Sequence, residues 1–162
     1  MTGLQEKQDL VEALGRHRGF LVFTARSLTD DQARATPTPS ELHIGGIVKH
    51  VTCTERGWVA FMTGHDMVTA AGDWWAGHHM GADETLAGLL DDYAACAVET
   101  AEAVRGMADL DAATPLPEAP WFEPGATWTA RRVLLHILAE TAQHAGHADL
   151  IRETLDGQKT MG

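Results

Sequence analysis

Four long stretches of the chain repeat their apolar residues at about the period of an α-helix, and this pattern constrains the fold more than any other feature. The pattern predicts four long helices, at about residues 4–26, 44–63, 83–106 and 129–157. No stretch shows a convincing strand pattern. The two long connections are rich in glycine or proline, which disfavour regular structure. We therefore predict an all-α four-helix bundle with long irregular connections between helices 2 and 3 and between helices 3 and 4.

Capping residues support these bounds. Thr29 can cap a short extra turn after the first helix, and Asp83 or Thr85 can cap the third. Gly157 is suited to the position just after the end of the fourth helix, where a left-handed backbone is common.

Length and charge narrow the class of protein. The 162 residues predict a single domain spanning 1–162. The net charge of −11 argues against binding to nucleic acid or to an anionic membrane, because both need a basic surface. No apolar run approaches the roughly 18 residues of a membrane span, and the N-terminus does not resemble a signal peptide. Cys53 and Cys96 lie far apart with no CxxC spacing, so we expect a cytoplasmic protein with reduced cysteines.

The fourth predicted helix carries polar residues on its core-facing side. Six residues share a narrow sector at about 100° per residue: Val133, Ile137, Glu140, His144, His147 and Ile151. The apolar members mark the sector as the inner side, so Glu140 and His144 point inward, one turn apart. An ionised carboxylate in a core is costly unless it is paired or bound to a metal.

The second predicted helix shows the same feature, because His50 lies on an apolar face that includes Ile47 and Trp58. His50, Glu140 and His144 together make a three-ligand set, and helical bundles commonly hold metals in this way. Two imidazoles and one carboxylate suit Zn²⁺, Ni²⁺, Fe²⁺ or Mn²⁺, of which we favour Zn²⁺. Three protein ligands leave a coordination position open for water or substrate. The pattern alone also allows a hydrogen-bonded core histidine at position 50 and a Glu140–His144 ion pair.

Two segments resemble a known family. They are PTPSELHIGGIVKHVTCTERGW at residues 37–58 and ETAQHAGHADLIRE at residues 140–153. Both are similar to helices of the DinB-like superfamily of four-helix-bundle metalloproteins, especially the branch of mycothiol-dependent enzymes, and the resemblance covers most of the chain. It implies that His50, Glu140 and His144 bind a divalent metal, and that the protein is a homodimer. A carboxylate at position 140 resembles the N-terminal domain of mycothiol-dependent maleylpyruvate isomerase.

The resemblance implies a metal-dependent thiol S-transferase, or a thiol-dependent isomerase. Such an enzyme activates a low-molecular-weight thiol for attack on an electrophilic small molecule. The thiol would be mycothiol in an actinobacterial host, which the abundance of Ala, Gly, Asp and Arg favours, and bacillithiol elsewhere. Catalysis would run through His50, Glu140 and His144 by way of the metal. The alternatives are a non-catalytic, stress-induced DinB-like protein that binds a metal or ligand, and a purely structural bundle.

Other residues near the predicted site have less defined roles. His136 and His147 are candidates for supporting the metal ligands, although each can also be an ordinary packed histidine. His147 can also be a fourth ligand, but we favour a role in which it does not bind the metal. Cys53 is expected to be a packed residue and not a nucleophile. His78 and His79 lie in a connection, and we expect them to be solvated. Five aromatic residues in or beside the connections either plug an end of the bundle, which we favour, or line an apolar substrate pocket: Trp74, Trp75, Trp121, Phe122 and Trp128.

Overall fold

The computed structural model describes residues 3–72 and 76–160. This part of the chain forms six α-helices, one 3₁₀ helix and two short strands. The helices are α1 (Gly3–Ala25), α2 (Asp30–Arg34), α3 (Ile44–Met62), α4 (Met67–Ala71), α5 (Leu86–Gly106) and α6 (Ala130–Asp156). The 3₁₀ helix is Ala76–His78, and the strands are β1 (Ala113–Pro115) and β2 (Thr127–Thr129).

The long helices α1, α3, α5 and α6 pack together as a bundle, with α6 against α1 and α3, and α5 against α3. This confirms the predicted all-α four-helix-bundle fold. Thr29 and Thr85, two of the predicted caps, accept backbone hydrogen bonds with their side chains at the starts of α2 and α5. Thr129 caps α6 in the same way. Gly157 ends α6 in the left-handed conformation, at a φ of 78°.

The bundle contains two apolar cores separated by a buried polar layer. Leu21, Val51 and Tyr93 belong to one core, and Trp58 and Ile137 belong to the other. Each long helix places buried polar residues between its contributions to the two cores: Arg18 on α1, Thr52 and Glu55 on α3, Thr100 on α5 and Thr141 on α6. His50 of α3 and Glu140 and His144 of α6 lie near this layer along their helices.

A buried ion pair joins the elements of this layer. Arg18 donates hydrogen bonds to both carboxylate oxygens of Glu55, and the Thr100 hydroxyl donates to Glu55 as well. Glu55 is completely buried. Removing one partner from such a pair costs about 3–5 kcal/mol, since the other charge is left uncompensated. The contact therefore aligns α1, α3 and α5 relative to one another.

The connections differ from the prediction, because they contain regular structure. The first holds α4 and the 3₁₀ helix. The second is an antiparallel β-hairpin in which Thr114 lies opposite Trp128, and the Leu116 N–H donates to the Ala126 carbonyl just beyond the ladder. The expectation of no strand is therefore wrong. Each strand is only three residues long, too short to show a period of two in the sequence.

Within residues 3–72 and 76–160, no helix is both long and apolar enough to cross a membrane.

Candidate metal centre and adjoining cavity

The structure brings His50, Glu140 and His144 together. Each offers one ligand atom, and these atoms all lie within 4.8 Å of one another. Nε2 of His144 lies 3.6 Å from Oε2 of Glu140. The rings of His50 and His144 are 4.7 Å apart between centroids and nearly perpendicular, at 71°. The two helices predicted to supply the ligands therefore bring the three side chains together. We call these three residues the His50–Glu140–His144 group.

Local sequence explains this placement. Glu140 and His144 are four residues apart on α6, so their side chains lie on the same side of the helix. Ile137 anchors α6 just before them in the core. Ile47 and Val51 flank His50 and are almost completely buried, which fixes the rotation of α3 about its axis. His50 then faces α6 because α3 packs directly against it.

Burial keeps the two imidazoles of the group neutral. It lowers the pKa of His50 to about 4, and the neighbouring His78 and His144 add to the effect. Burial also lowers the pKa of His144, although the Glu140 carboxylate opposes the shift. A neutral imidazole presents a free lone pair, which is the form that binds a metal.

Glu140 has no cationic partner of its own. Within the described residues, the ionisable side chains nearest its carboxylate are those of His144 and of His136, whose Nε2 lies 3.8 Å from Oε1. Burial lowers the pKa of His136 too. Both distances exceed a normal hydrogen bond. Atoms bound to one ion at about 2.1 Å lie at most about 4.2 Å apart, so the 3.6 Å between Glu140 and His144 is within the span of a single ion. The donor set of two neutral imidazoles and one half-buried carboxylate thus fits a divalent cation.

His78 lies beside this site, although its position in a connection predicts a solvated side chain. It ends the 3₁₀ helix, is only partly exposed, and its ring lies 4.2 Å from that of His50 at an angle of 32°. His79 is likewise partly buried, with its ring 5.8 Å from the His43 ring. The expectation that both are solvated is therefore wrong.

Two adjacent glycines in α3 allow the segment 78–80 to approach. A Cβ at Gly46 would lie 2.4 Å from the His78 carbonyl oxygen, and a Cβ at Gly45 would lie 2.4 Å from Sδ of Met80. His43 completes the contact, since its Nε2 accepts a hydrogen bond of 3.1 Å from the Met80 N–H. The Gly45–Gly46 pair is the sequence signal that could have indicated this approach, because glycine is costly inside a helix unless close packing requires it.

His136 is held by aromatic side chains. Its ring lies 4.9 Å from Trp58 and 5.2 Å from Trp128, with its plane steeply inclined to both indoles. Those two indoles stack on each other at 4.8 Å and 14°. His136 is therefore confined next to Glu140.

His147 lies beside the group and not in it. Its ring is 5.3 Å from that of His144, but it is not one of the three residues whose ligand atoms converge. Its Nδ1 is buried and has no hydrogen-bond partner among the described residues, as is also true of Nδ1 of His144.

A cavity of about 510 Å³ adjoins the group. Residues of α3, α4 and the loop 117–122 surround it, and His50 and His78 are part of its lining. Trp58, Met67, Trp121 and Phe122 make much of the remaining surface apolar. A ligand in this cavity would lie next to the imidazole of His50.

The aromatic residues divide between the two roles considered for them. Trp121 and Phe122 line the cavity, which corrects the favoured expectation of a plug for these two. Trp128 packs in the bundle against Trp58. Trp74 and Trp75 lie outside the described residues. Cys53 is half-buried in the cavity lining, and burial raises the pKa of its thiol, which agrees with the expectation that it is not a nucleophile.

The fold and the group are those of a helical-bundle protein with a candidate metal centre beside an apolar cavity. A family model described as mycothiol-S-transferase matches residues 9–157, and the chain belongs to this family. The resemblance found in residues 37–58 and 140–153 is thereby confirmed.

Comparison with solved structures agrees on the fold. A crystal structure described as the conserved protein of a locus from Enterococcus faecalis superimposes with a TM-score of 0.73, covering 93% of this chain and 97% of that chain. Sequence identity is 17%, so this likeness shows the fold alone. A search of the curated proteins found no match.

Proposed function

We propose that the protein is a divalent-metal-dependent thiol S-transferase that joins a low-molecular-weight thiol, mycothiol, to an electrophilic small molecule. The observation that carries the proposal is the placement of the His50–Glu140–His144 group against the apolar cavity. Membership of the mycothiol-S-transferase family supports mycothiol as the thiol.

His50, Glu140 and His144 would hold the metal, for which we favour Zn²⁺ over Ni²⁺, Fe²⁺ and Mn²⁺. A bound divalent ion supplies a Lewis acid that deprotonates a coordinated thiol at neutral pH. Glu140 contributes the negative charge of the donor set. Because its neighbours His136 and His144 are neutral, that charge is available to a metal ion.

The rest of the chain controls what reaches the thiol sulfur. The apolar side chains of α4 and the loop 117–122 provide an apolar surface for the electrophile. Cys53 is close enough to compete as a nucleophile, but the raised pKa of its thiol keeps it protonated. His136 holds Glu140 from the side away from His144.

The proposal is tested by assaying mycothiol conjugation in metal-loaded wild type, His50→Ala and His144→Ala, with bound metal measured by elemental analysis. Both variants are expected to lose the metal and the thiol transfer together. The matched control is His65→Ala, because His65 is an exposed histidine outside the bundle core. Full transfer activity in metal-free His144→Ala would overturn the proposed mechanism.

The same assay separates the alternatives. Wild type that holds metal but neither binds nor turns over any thiol would be a non-catalytic metal or ligand binder. Wild type that holds no metal after reconstitution would be a structural bundle. We also propose that the protein is a homodimer, which sedimentation velocity tests independently of activity.

A further inference from the structure

We infer that the cavity selects uncharged aromatic electrophiles and rejects anionic ones. This inference rests on the proposed function, because it concerns the second substrate of the same site. It is carried by the chemistry of the cavity lining, and not by the metal ligands.

The lining is built to contact an apolar ring. Trp58, Trp121 and Phe122 face the same cavity from α3 and from the loop 117–122, and Met67 and Val68 contribute from α4. The Phe122 ring lies 6.5 Å from Trp58 and 6.2 Å from Trp121, edge-on or steeply inclined to both. Aromatic pairs favour edge-to-face and offset geometries. The aromatic side chains of the lining can therefore contact a planar substrate ring in these geometries. The volume of about 510 Å³ suits a small molecule and not a macromolecule.

The described lining residues of the cavity carry a negative charge and no lysine or arginine. Among the described lining residues there is no lysine or arginine, and the one carboxylate is that of Glu118, an exposed residue of the loop 117–122. In the proposed enzyme the thiol would occupy the metal beside His50. A carboxylate on the electrophile would therefore lose part of its hydration in the cavity without gaining a lysine or arginine partner, which is unfavourable. Glu118 would repel it as well.

A matched substrate pair tests this inference with metal-loaded protein and mycothiol. The neutral probe is methyl 4-chloro-3,5-dinitrobenzoate, and the anionic probe is the corresponding free carboxylate. In each case the thiol sulfur forms a bond to the ring carbon, chloride leaves with the bonding electron pair, and the thiol proton goes to solvent. Each kcat/KM is divided by the uncatalysed rate constant, which removes the difference in chemical reactivity. We expect the ester to be preferred by at least about tenfold, which corresponds to about 1.4 kcal/mol.

Reversing a charge in the loop 117–122 provides a second test of the selectivity. Glu118→Lys should raise the corrected kcat/KM for the carboxylate and narrow the preference several-fold, more so at low salt because exposed charges are screened. The control is Glu102→Lys, which makes the same charge change at an exposed position of α5 outside the cavity lining and should leave the preference as it is in wild type.

Binding without chemistry separates this inference from the proposed function. Methyl 3,5-dinitrobenzoate and 3,5-dinitrobenzoate lack the leaving group, and their binding to the holoprotein is followed by quenching of tryptophan fluorescence. Selective binding of the ester without any conjugation activity would support the cavity's selectivity and overturn the transferase proposal. Conjugation that treats the two charge forms alike, or prefers the carboxylate, would overturn the selectivity and leave the transferase proposal standing.

Discussion

Nε2 of His144 lies 3.6 Å from Oε2 of Glu140, close enough to share one ion and too far for a hydrogen bond. The pair lies on one side of α6, opposite His50 of α3. Burial lowers the pKa of both histidines, so neither compensates the charge of Glu140 as a cation near neutral pH. A half-buried carboxylate without a cation is the feature of this arrangement that a metal explains best.

Replacing Glu140 by Gln should lower the affinity for Zn²⁺ by more than about 100-fold, because outer partners of metal ligands alone contribute about 10–100-fold. Competition with a chelator of known affinity measures the change. Glu153→Gln is the matched control, since Glu153 is an exposed carboxylate on the same helix that pairs with Lys159. Equal Zn²⁺ affinity in Glu140→Gln and wild type would show that the carboxylate is not a ligand.

His136 should act as a positioning residue for Glu140. We expect His136→Ala to weaken Zn²⁺ binding by about 10–100-fold, and His136→Asn, which keeps a side-chain donor, to recover part of the loss. Thermal unfolding of the metal-free forms separates this effect from lost packing against Trp58 and Trp128. If the two variants lose affinity equally, a polar contact from position 136 is not what positions Glu140.

The sequence predicts the helices and the ligand set because both depend on local periodicity. The apolar repeat defines α1, α3, α5 and α6, and the four-residue spacing places Glu140 and His144 on one side of α6. His78 was missed because its position depends on a tertiary contact, in which the segment 78–80 packs onto the glycine pair of α3. The β-hairpin was missed because its strands of three residues are held by backbone pairing and carry no recognisable pattern.

The glycine pair provides a test of that contact. Gly46→Ala should destabilise the protein by about 1–3 kcal/mol, the usual cost of overpacking, since the added Cβ would collide with the His78 carbonyl and the His43 ring. Gly15→Ala on α1 is the control, because its Cβ would meet nothing within 4 Å. In a helix this control should stabilise by up to about 1 kcal/mol. Urea unfolding measures the free energy of unfolding of both variants. An unchanged free energy of unfolding in Gly46→Ala would contradict the close approach of the segment 78–80 to α3.

The metal-free protein should lose stability as the pH falls from about 6.5 towards 4. Burial lowers the pKa of His50 to about 4 from 6.5 and also lowers the pKa of His43 and of His144. The unfolded chain therefore binds more protons than the folded chain in this window, so the free energy of unfolding decreases with falling pH.

Urea unfolding across this pH range tests the expectation. His50→Gln should show a weaker pH dependence than wild type, because glutamine does not titrate. His65→Gln, at an exposed position, should retain the wild-type dependence. A free energy of unfolding that is constant or rises between pH 6.5 and 4 would contradict the burial of neutral histidines.

If His50, Glu140 and His144 bind one ion together, crystals of the Zn²⁺-loaded protein will show it by anomalous diffraction at the zinc absorption edge. We expect one strong anomalous peak per chain, at about 2.0–2.2 Å from an imidazole nitrogen of each histidine and a carboxylate oxygen of Glu140. Fully loaded crystals with no peak between these three residues, or with the ion bound elsewhere on the chain, would contradict this expectation.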